Sequence, residues 1–151
     1  MIGAGDFERF YRDTLPRLEK FVARLAGSRA AAEEIVQETY YRFLRSRFEG
    51  GSDEERRRYL YRIAVNLAKN LWSRQRSEET IELVAHADAS NSIDVNGVLA
   101  RMAPRERALL WLAYAEGCSH REIAEVMDVS ALSVRVLLSR ARKRFVELMD
   151  R

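Results

Sequence analysis

The stretch Ala103–Arg144, APRERALLWLAYAEGCSHREIAEVMDVSALSVRVLLSRARKR, decides how this chain folds. Ser119 is a strong helix start, because its hydroxyl can accept an orphan amide while Glu122, three residues on, reaches back in a capping box. Gly117, just upstream, suits the left-handed position that closes the preceding helix. Ile123, Ala124 and Met127 share one face of the helix that follows, which stops at Asp128-Val129. Ser130 then caps a second helix, whose apolar positions Val134, Leu138, Ala141, Phe145 and Leu148 recur at helical spacing. Two short helices across so tight a turn must cross steeply, so the pair is predicted to be a helix-turn-helix.

The second of these helices carries the chemistry. Beside its buried stripe lie Ser130, Ser133, Arg135, Ser139, Arg142 and Lys143, with no acid until Glu147. Cations on phosphates release counterions, and an arginine fork matches the acceptors of guanine, so such a row suits a DNA major groove. The competing reading is a solvated basic face on an ordinary helical hairpin.

Composition narrows the class. With 151 residues, 47% of them apolar and 32% charged, the chain can form one domain or two small ones with proper cores. No run of about eighteen apolar residues occurs, so no membrane span is expected. The N-terminus, MIGAGDFERF, lacks the basic segment and apolar core of a signal peptide, which predicts a cytoplasmic protein. Cys118 is the only cysteine, so neither an intrachain disulfide nor a cysteine zinc cluster is expected, and it reads as a packing residue. His86 and His120 stand alone, and no set of nucleophile, base and orienting group is visible. The sequence therefore predicts no enzyme, no metal and no cofactor.

The net charge of +3 is unevenly spread. Residues 1–76 hold 16 Lys and Arg against 11 Asp and Glu, and residues 99–151 hold 10 against 7. Residues 77–98 hold Glu78, Glu79, Glu82, Asp88 and Asp94 and no cation. An acidic tether is thus expected between two basic modules. About 22 residues at roughly 3.3 Å each would reach some 70 Å, enough to let the modules grip DNA about two helical turns apart.

In the first module, Asp6 is expected to cap a short helix that Pro16 ends or restarts. Leu18, Phe21, Val22 and Leu25 continue an apolar stripe to Gly27. A second helix, roughly 31–47, buries Ala32, Ile35, Val36, Thr39, Phe43 and Leu44. It shows Glu34, Gln37, Glu38, Tyr41, Arg42 and Arg45 on its other face, acid first and base last, as the helix dipole favours. After a loop with paired glycines at 50 and 51, a long helix over roughly 54–76 buries Leu60, Ile63, Ala64, Leu67 and Leu71. Its second stripe, Arg58, Arg62, Asn66, Lys69, Ser73 and Arg76, has Tyr59, Tyr61 and Trp72 nearby. Cations interleaved with aromatics suit a strand whose bases can unstack. Tyrosines at this spacing also suit a core.

The segment AEEIVQETYYRFLR (32–45), then YLYRIAVNLAKN (59–70), then the helix-turn-helix, resembles the extracytoplasmic-function group of sigma-70-type RNA polymerase sigma factors, in the family's order from Phe7 to Arg144. The resemblance implies an all-α protein of two small helical domains, a region-2-like bundle over 1–76 and a region-4-like domain over 99–151, joined by an acidic flexible linker over 77–98. It implies that Glu34, Gln37, Glu38 and Arg42 bind the clamp helices of the largest subunit of core RNA polymerase. The loop from Phe48 to Glu55 would capture a flipped minus-ten base, at a cost of a few kcal/mol of unstacking that the pocket must return. Arg58, Arg62, Asn66 and Lys69 would hold the adjoining promoter DNA. Ser130, Ser133, Arg135, Ser139, Arg140, Arg142 and Lys143 would read the minus-thirty-five element, while the same domain touches the polymerase flap. The linker would thread its acids along the basic RNA-exit path, and an anti-sigma protein would be a further partner.

The chain also departs from the family's pattern. Val65 and Tyr59 stand where members often carry Arg and Trp. Val136 and Leu137 replace a common Ser-Arg pair on the recognition helix, removing a cation from its groove-facing edge and bearing on upstream-element affinity and sequence choice. Asp128 takes the turn position usually held by Gly, which an aspartate tolerates because it visits the left-handed region more readily than most residues. The alternative function is an autonomous helix-turn-helix regulator that binds symmetric half-sites without polymerase.

Overall fold

A computed structural model describes residues 3–46, 51–75 and 94–150. The first module is three helices: α1 (Ala4–Leu25), α2 (Arg29–Arg45) and α3 (Asp53–Gln75). Helix α1 begins earlier than the sequence suggests, with Gly3 as its cap and Asp6 in its first turn, and it runs unbroken through Pro16. Proline removes one helical hydrogen bond, a cost of about 3 kcal/mol in an isolated helix. Here Phe10 and Thr14 before it, and Leu18, Phe21, Val22 and Leu25 after it, are all buried on one face, so packing on both sides holds the helix together.

Ser28 caps α2, its hydroxyl accepting from the Ala31 amide. Along α2 the buried residues are Ile35, Thr39, Tyr40 and Phe43, whereas Leu44, expected inside, is 41% exposed. The ring of Phe43 stacks on Phe10 at 4.9 Å, and Tyr40 shares a 2.7 Å hydrogen bond with Thr14. Burial, partly offset by that bond, pushes the Tyr40 phenol up to about 12. Trp72 Nε1 donates to the Leu25 carbonyl at 2.8 Å and pins the end of α3 to the end of α1.

The second module contains α4 (Val95–Ala100), α5 (Pro104–Leu110), α6 (His120–Met127) and α7 (Ala131–Met149). Helix α4, capped by Asp94 and burying Val98 and Leu99, starts inside the stretch read as tether, which therefore gives way to the second module at Asp94. The tether residues 77–93, residues 48–50 of the expected minus-ten loop, and Arg76 of the expected α3 stripe lie outside the described residues. Beyond α5 the chain widens into a π-type turn over Trp111–Ala115, with the Glu116 amide on the Trp111 carbonyl, and Gly117 reverses it at φ 65°. The capping box at Ser119 and Glu122 forms as the sequence predicts. Asp128 sits at φ 56°, ψ 51°, so the left-handed turn is made by an aspartate.

Helix α3 packs on α6, and α1 on α5. Buried side chains of both modules form one continuous cluster, from Phe10 and Leu18 through Val65 and Ala68 to Val126, Leu138 and Leu148. A tether of the predicted reach permits separation without requiring it, and the apolar faces of α3 and α6 favour closure because contact removes them from water. Among the described residues, no helix is long and apolar enough to cross a membrane.

Candidate nucleic-acid and polymerase interfaces

Three surfaces carry the residues singled out from sequence, and two of them face solvent. On α2, Glu34, Gln37 and Arg42 are exposed and Glu38 is half-buried, with Arg42 Nε on Glu38 Oε1 at 3.0 Å. Tyr41 and Leu44 stand out beside them, so the face combines charge with uncovered apolar area. A face of that kind is suited to a protein partner.

The second surface is α7. Arg135, Ser139, Arg140, Arg142 and Lys143 are exposed on it, opposite the buried Val134, Leu138, Ala141 and Leu148. Ser130 is committed to capping: its Oγ accepts from the Ser133 amide at 3.1 Å and donates to Ser133 Oγ at 2.8 Å. Arg142 lies to one side, its Nη1 donating to the Tyr114 hydroxyl at 3.3 Å. It borders an apolar groove lined also by Leu99, Trp111, Phe145 and Val146.

The third surface, the basic stripe of α3, is largely engaged by α6, although Arg62 keeps 45% of its side chain exposed. Arg58, Arg62, Val65 and Lys69 recur at spacings of four, three and four, which aligns them on one helix face. That face meets α6, whose acids Glu122, Glu125 and Asp128 recur every third residue. Arg58 donates from Nη1 to Glu122 at 2.9 Å and from Nε to Glu125 at 3.1 Å, and its side chain is only 20% exposed. Arg62 Nη2 lies 3.2 Å from Asp128 Oδ1. Lys69 Nζ donates to the Met127 carbonyl at 2.6 Å, a cation at the negative end of α6 where the helix dipole favours it. Burial, then Arg105, lowers the pKa of the Lys69 ammonium against the pull of Asp128. The Ser119 amide, more than Arg58, holds the Glu122 carboxyl below the usual carboxylate range. Asn66 remains exposed.

The same contact contains residues that pattern reading did not single out. Glu116, its side chain 5% exposed, accepts from the Tyr61 hydroxyl at 2.8 Å and is ion-paired with Arg17 of α1. Tyr61, stacked on Phe21 at 4.9 Å, is core and not a base-stacking ring, and burial followed by Glu116 raises its pKa. Arg24 places its guanidinium 4.6 Å from the centre of the Trp111 ring and donates to Asn96 Oδ1 at 3.0 Å. The period-three row of acids on α6 is the one signal in the sequence that could have predicted a basic partner for that helix.

Comparison with known proteins agrees with this architecture. Residues 10–78 match the family described as Sigma-70 region 2, and residues 94–145 the family described as Sigma-70, region 4. The chain is 30% identical to RNA polymerase sigma factor CarQ of Myxococcus xanthus, over 97% of this chain and 91% of that one. It is 25% identical to the RNA polymerase sigma-E factor of Streptomyces avermitilis, over 96% and 86% of the respective chains. Among solved structures, the sigma factor RpoE of Bartonella quintana, crystallised with the anti-sigma factor NepR, matches with a TM-score of 0.80 and 27% identity, covering 96% of this chain and 97% of that one.

Proposed function

The chain belongs to the sigma-70 family of RNA polymerase sigma factors, in its extracytoplasmic-function group, and from that premise we propose how its surfaces divide the work. It confers promoter recognition on core polymerase and starts transcription at specific promoters. Glu34, Gln37, Glu38 and Arg42 on α2 dock on the clamp helices, with Tyr41 and Leu44 adding apolar contact. Arg135, Ser139, Arg140 and Lys143 on α7 enter the major groove of the upstream element, and Ser130, Ser133 and Arg142 lie at its margin. Arg58, Arg62, Asn66 and Lys69 on α3 hold DNA at the minus-ten element. The two modules, about 1–76 and 99–151 with α4 added to the second, act in the cytoplasm at opposite ends of the promoter. The chain does no covalent chemistry of its own, since bond formation belongs to the polymerase.

The observation that carries this reading is the unequal exposure of the three surfaces. The α2 face and the α7 row are open, while Arg58 and Lys69 are turned into α6 and Arg62, still 45% exposed, is paired with Asp128 beside it. DNA and α6 cannot occupy one stripe together, so the closed molecule is a resting form, and engaging the minus-ten element requires the modules to part. Core polymerase drives the opening by binding the open form more tightly, since a ligand shifts such an equilibrium only by its differential affinity. An anti-sigma protein would act in the opposite sense by gripping the closed form. The likeness to RpoE supports this, because both modules superimpose together on a sigma factor held by its anti-sigma partner.

The test is in-vitro transcription with purified core polymerase on a randomised promoter library. The expected result is initiation that depends on this chain, with weak promoter binding by the chain alone. Failure to associate with core, or tight binding of the free chain to symmetric half-sites, would replace this reading with the autonomous regulator.

A further inference from the structure

Leu132 is 73% exposed and Val136 45% exposed, both on the outward side of the recognition helix. The buried line of α7 runs through Val134, Leu138 and Ala141, and at 100° per residue the line directly opposite is Leu132, Val136, Ser139 and Lys143. The residues best placed to point straight into a major groove therefore begin with two aliphatic side chains, flanked by the exposed cations Arg135 and Arg140. Base edges are met by the N-terminal part of a recognition helix, which is where Leu132 and Val136 sit. Neither residue can donate or accept a hydrogen bond, and the apolar feature that base pairs present in the major groove is the C5-methyl of thymine.

We propose that Leu132 and Val136 are specificity-determining residues that select thymine in the upstream element by packing on its methyl group, on either strand, next to base pairs contacted by Arg135 or Arg140. This rests on the reading of α7 as the upstream-element helix. Exposed aliphatic groups on a freely solvated helix gain nothing from water, whereas the flanking cations draw in phosphates and set the helix at groove depth. The selection is for a methyl group, so it is blind to Watson–Crick identity once that methyl is removed.

The experiment uses holoenzyme reconstituted with core polymerase and a promoter recovered from the library selection, with each upstream-element thymine replaced in turn by deoxyuridine. That change removes one methyl and leaves every hydrogen-bonding group in place. One or two positions are expected to lose affinity about three- to fivefold, the worth of one buried methyl. In Leu132→Ala or Val136→Ala holoenzyme the corresponding penalty should vanish, while deoxyuridine elsewhere stays neutral. Both residues are exposed, so the variants should fold, and unchanged circular dichroism and core binding check this. Deoxyuridine without effect at every position, an element lacking thymine, or a penalty that persists in both variants would overturn the proposal. So would variants that bind promoter like the parent but lose a protein partner, since the aliphatic pair would then be a protein-docking face. Absence of any promoter binding by the parent holoenzyme would instead sink the underlying assignment of α7.

Discussion

Replacing Arg58 with Ala should open the closed molecule, and Cys118 can report it. Arg58 holds Glu122 and Glu125 at 2.9 and 3.1 Å across the contact between the modules. Partly screened ion pairs of this kind contribute about 0.2–1 kcal/mol each, so losing both should shift the closed-to-open equilibrium by roughly 0.5–2 kcal/mol. That is about a 2- to 30-fold rise in the open fraction. Cys118 lines a cavity of about 260 Å³ between the modules, with Arg57, Arg58 and Tyr61 on the α3 side. Burial, then Glu122 and Glu116, pushes its thiol up to about 11. At pH 8 such a thiol is far less ionised than an unperturbed one, so the closed form labels more slowly than the open form. The rate of modification by a thiol reagent, measured without DNA or polymerase, should therefore rise with the open fraction. Arg58 is among the cations that lower the Cys118 pKa, so in a molecule that stayed shut its removal would slow labelling. An unchanged or slower rate in a variant with intact helicity would refute the idea that this ion-pair row helps hold the modules together.

Asp128→Asn should keep the left-handed turn, which asparagine also adopts readily, while removing the partner of Arg62. Its melting temperature should stay within a few degrees of the parent, while Cys118 labelling rises about 2- to 5-fold. Gln37→Ala with Glu38→Ala should weaken core-polymerase binding about tenfold or more in a fluorescence titration, with thermal stability nearly unchanged because Gln37 is exposed and the Glu38–Arg42 pair is largely solvated. Intact core binding would remove both residues from the interface. Raising the pH should also weaken the part of closure that Cys118 contributes, while Lys69, whose pKa the contact lowers, acts in the opposite direction. The Cys118 pKa of the closed form lies above the ordinary thiol value, so at this group the closed form binds more protons than the open form as the pH climbs from about 8.5 toward 11, and its contribution is lost across that window and not below it. In Cys118→Ala that part of the slope should disappear when domain separation is followed by small-angle scattering.

The helix-turn-helix is legible from residue order alone because its signals are local. A serine and a glutamate three apart, a glycine before them and a 3.6-residue apolar period each act within one turn of chain, and Ser119, Glu122, Gly117 and Ser130 take the roles their types dictate. The extent of α3 is legible for the same reason, but its buried line is not: Tyr61, Val65 and Ala68 lie inside beside Leu60 and Ala64, while Ile63, Leu67 and Leu71, expected there, are only half-buried because α6 packs on the neighbouring face. Pro16 misleads because its local cost is outweighed by contacts from α2, α3 and α5, which no window on α1 contains.

What the sequence by itself determined, then, is the longer helices and the caps of α6 and α7, since those follow from backbone hydrogen bonding and the spacing of apolar residues along one strand of chain, whereas α4, the Gly3 start of α1 and the exposure of Leu44 came only with packing. Only the tertiary structure decided that Arg58, Arg62 and Lys69 meet the acids and the C-terminal end of α6, and that Glu116 is enclosed between Tyr61 and Arg17. The partners in these contacts lie from 55 to 99 residues apart. A stripe of cations reads the same whether it awaits phosphate or carboxylate. Its partner is fixed by which surfaces the shared core brings within a few ångströms.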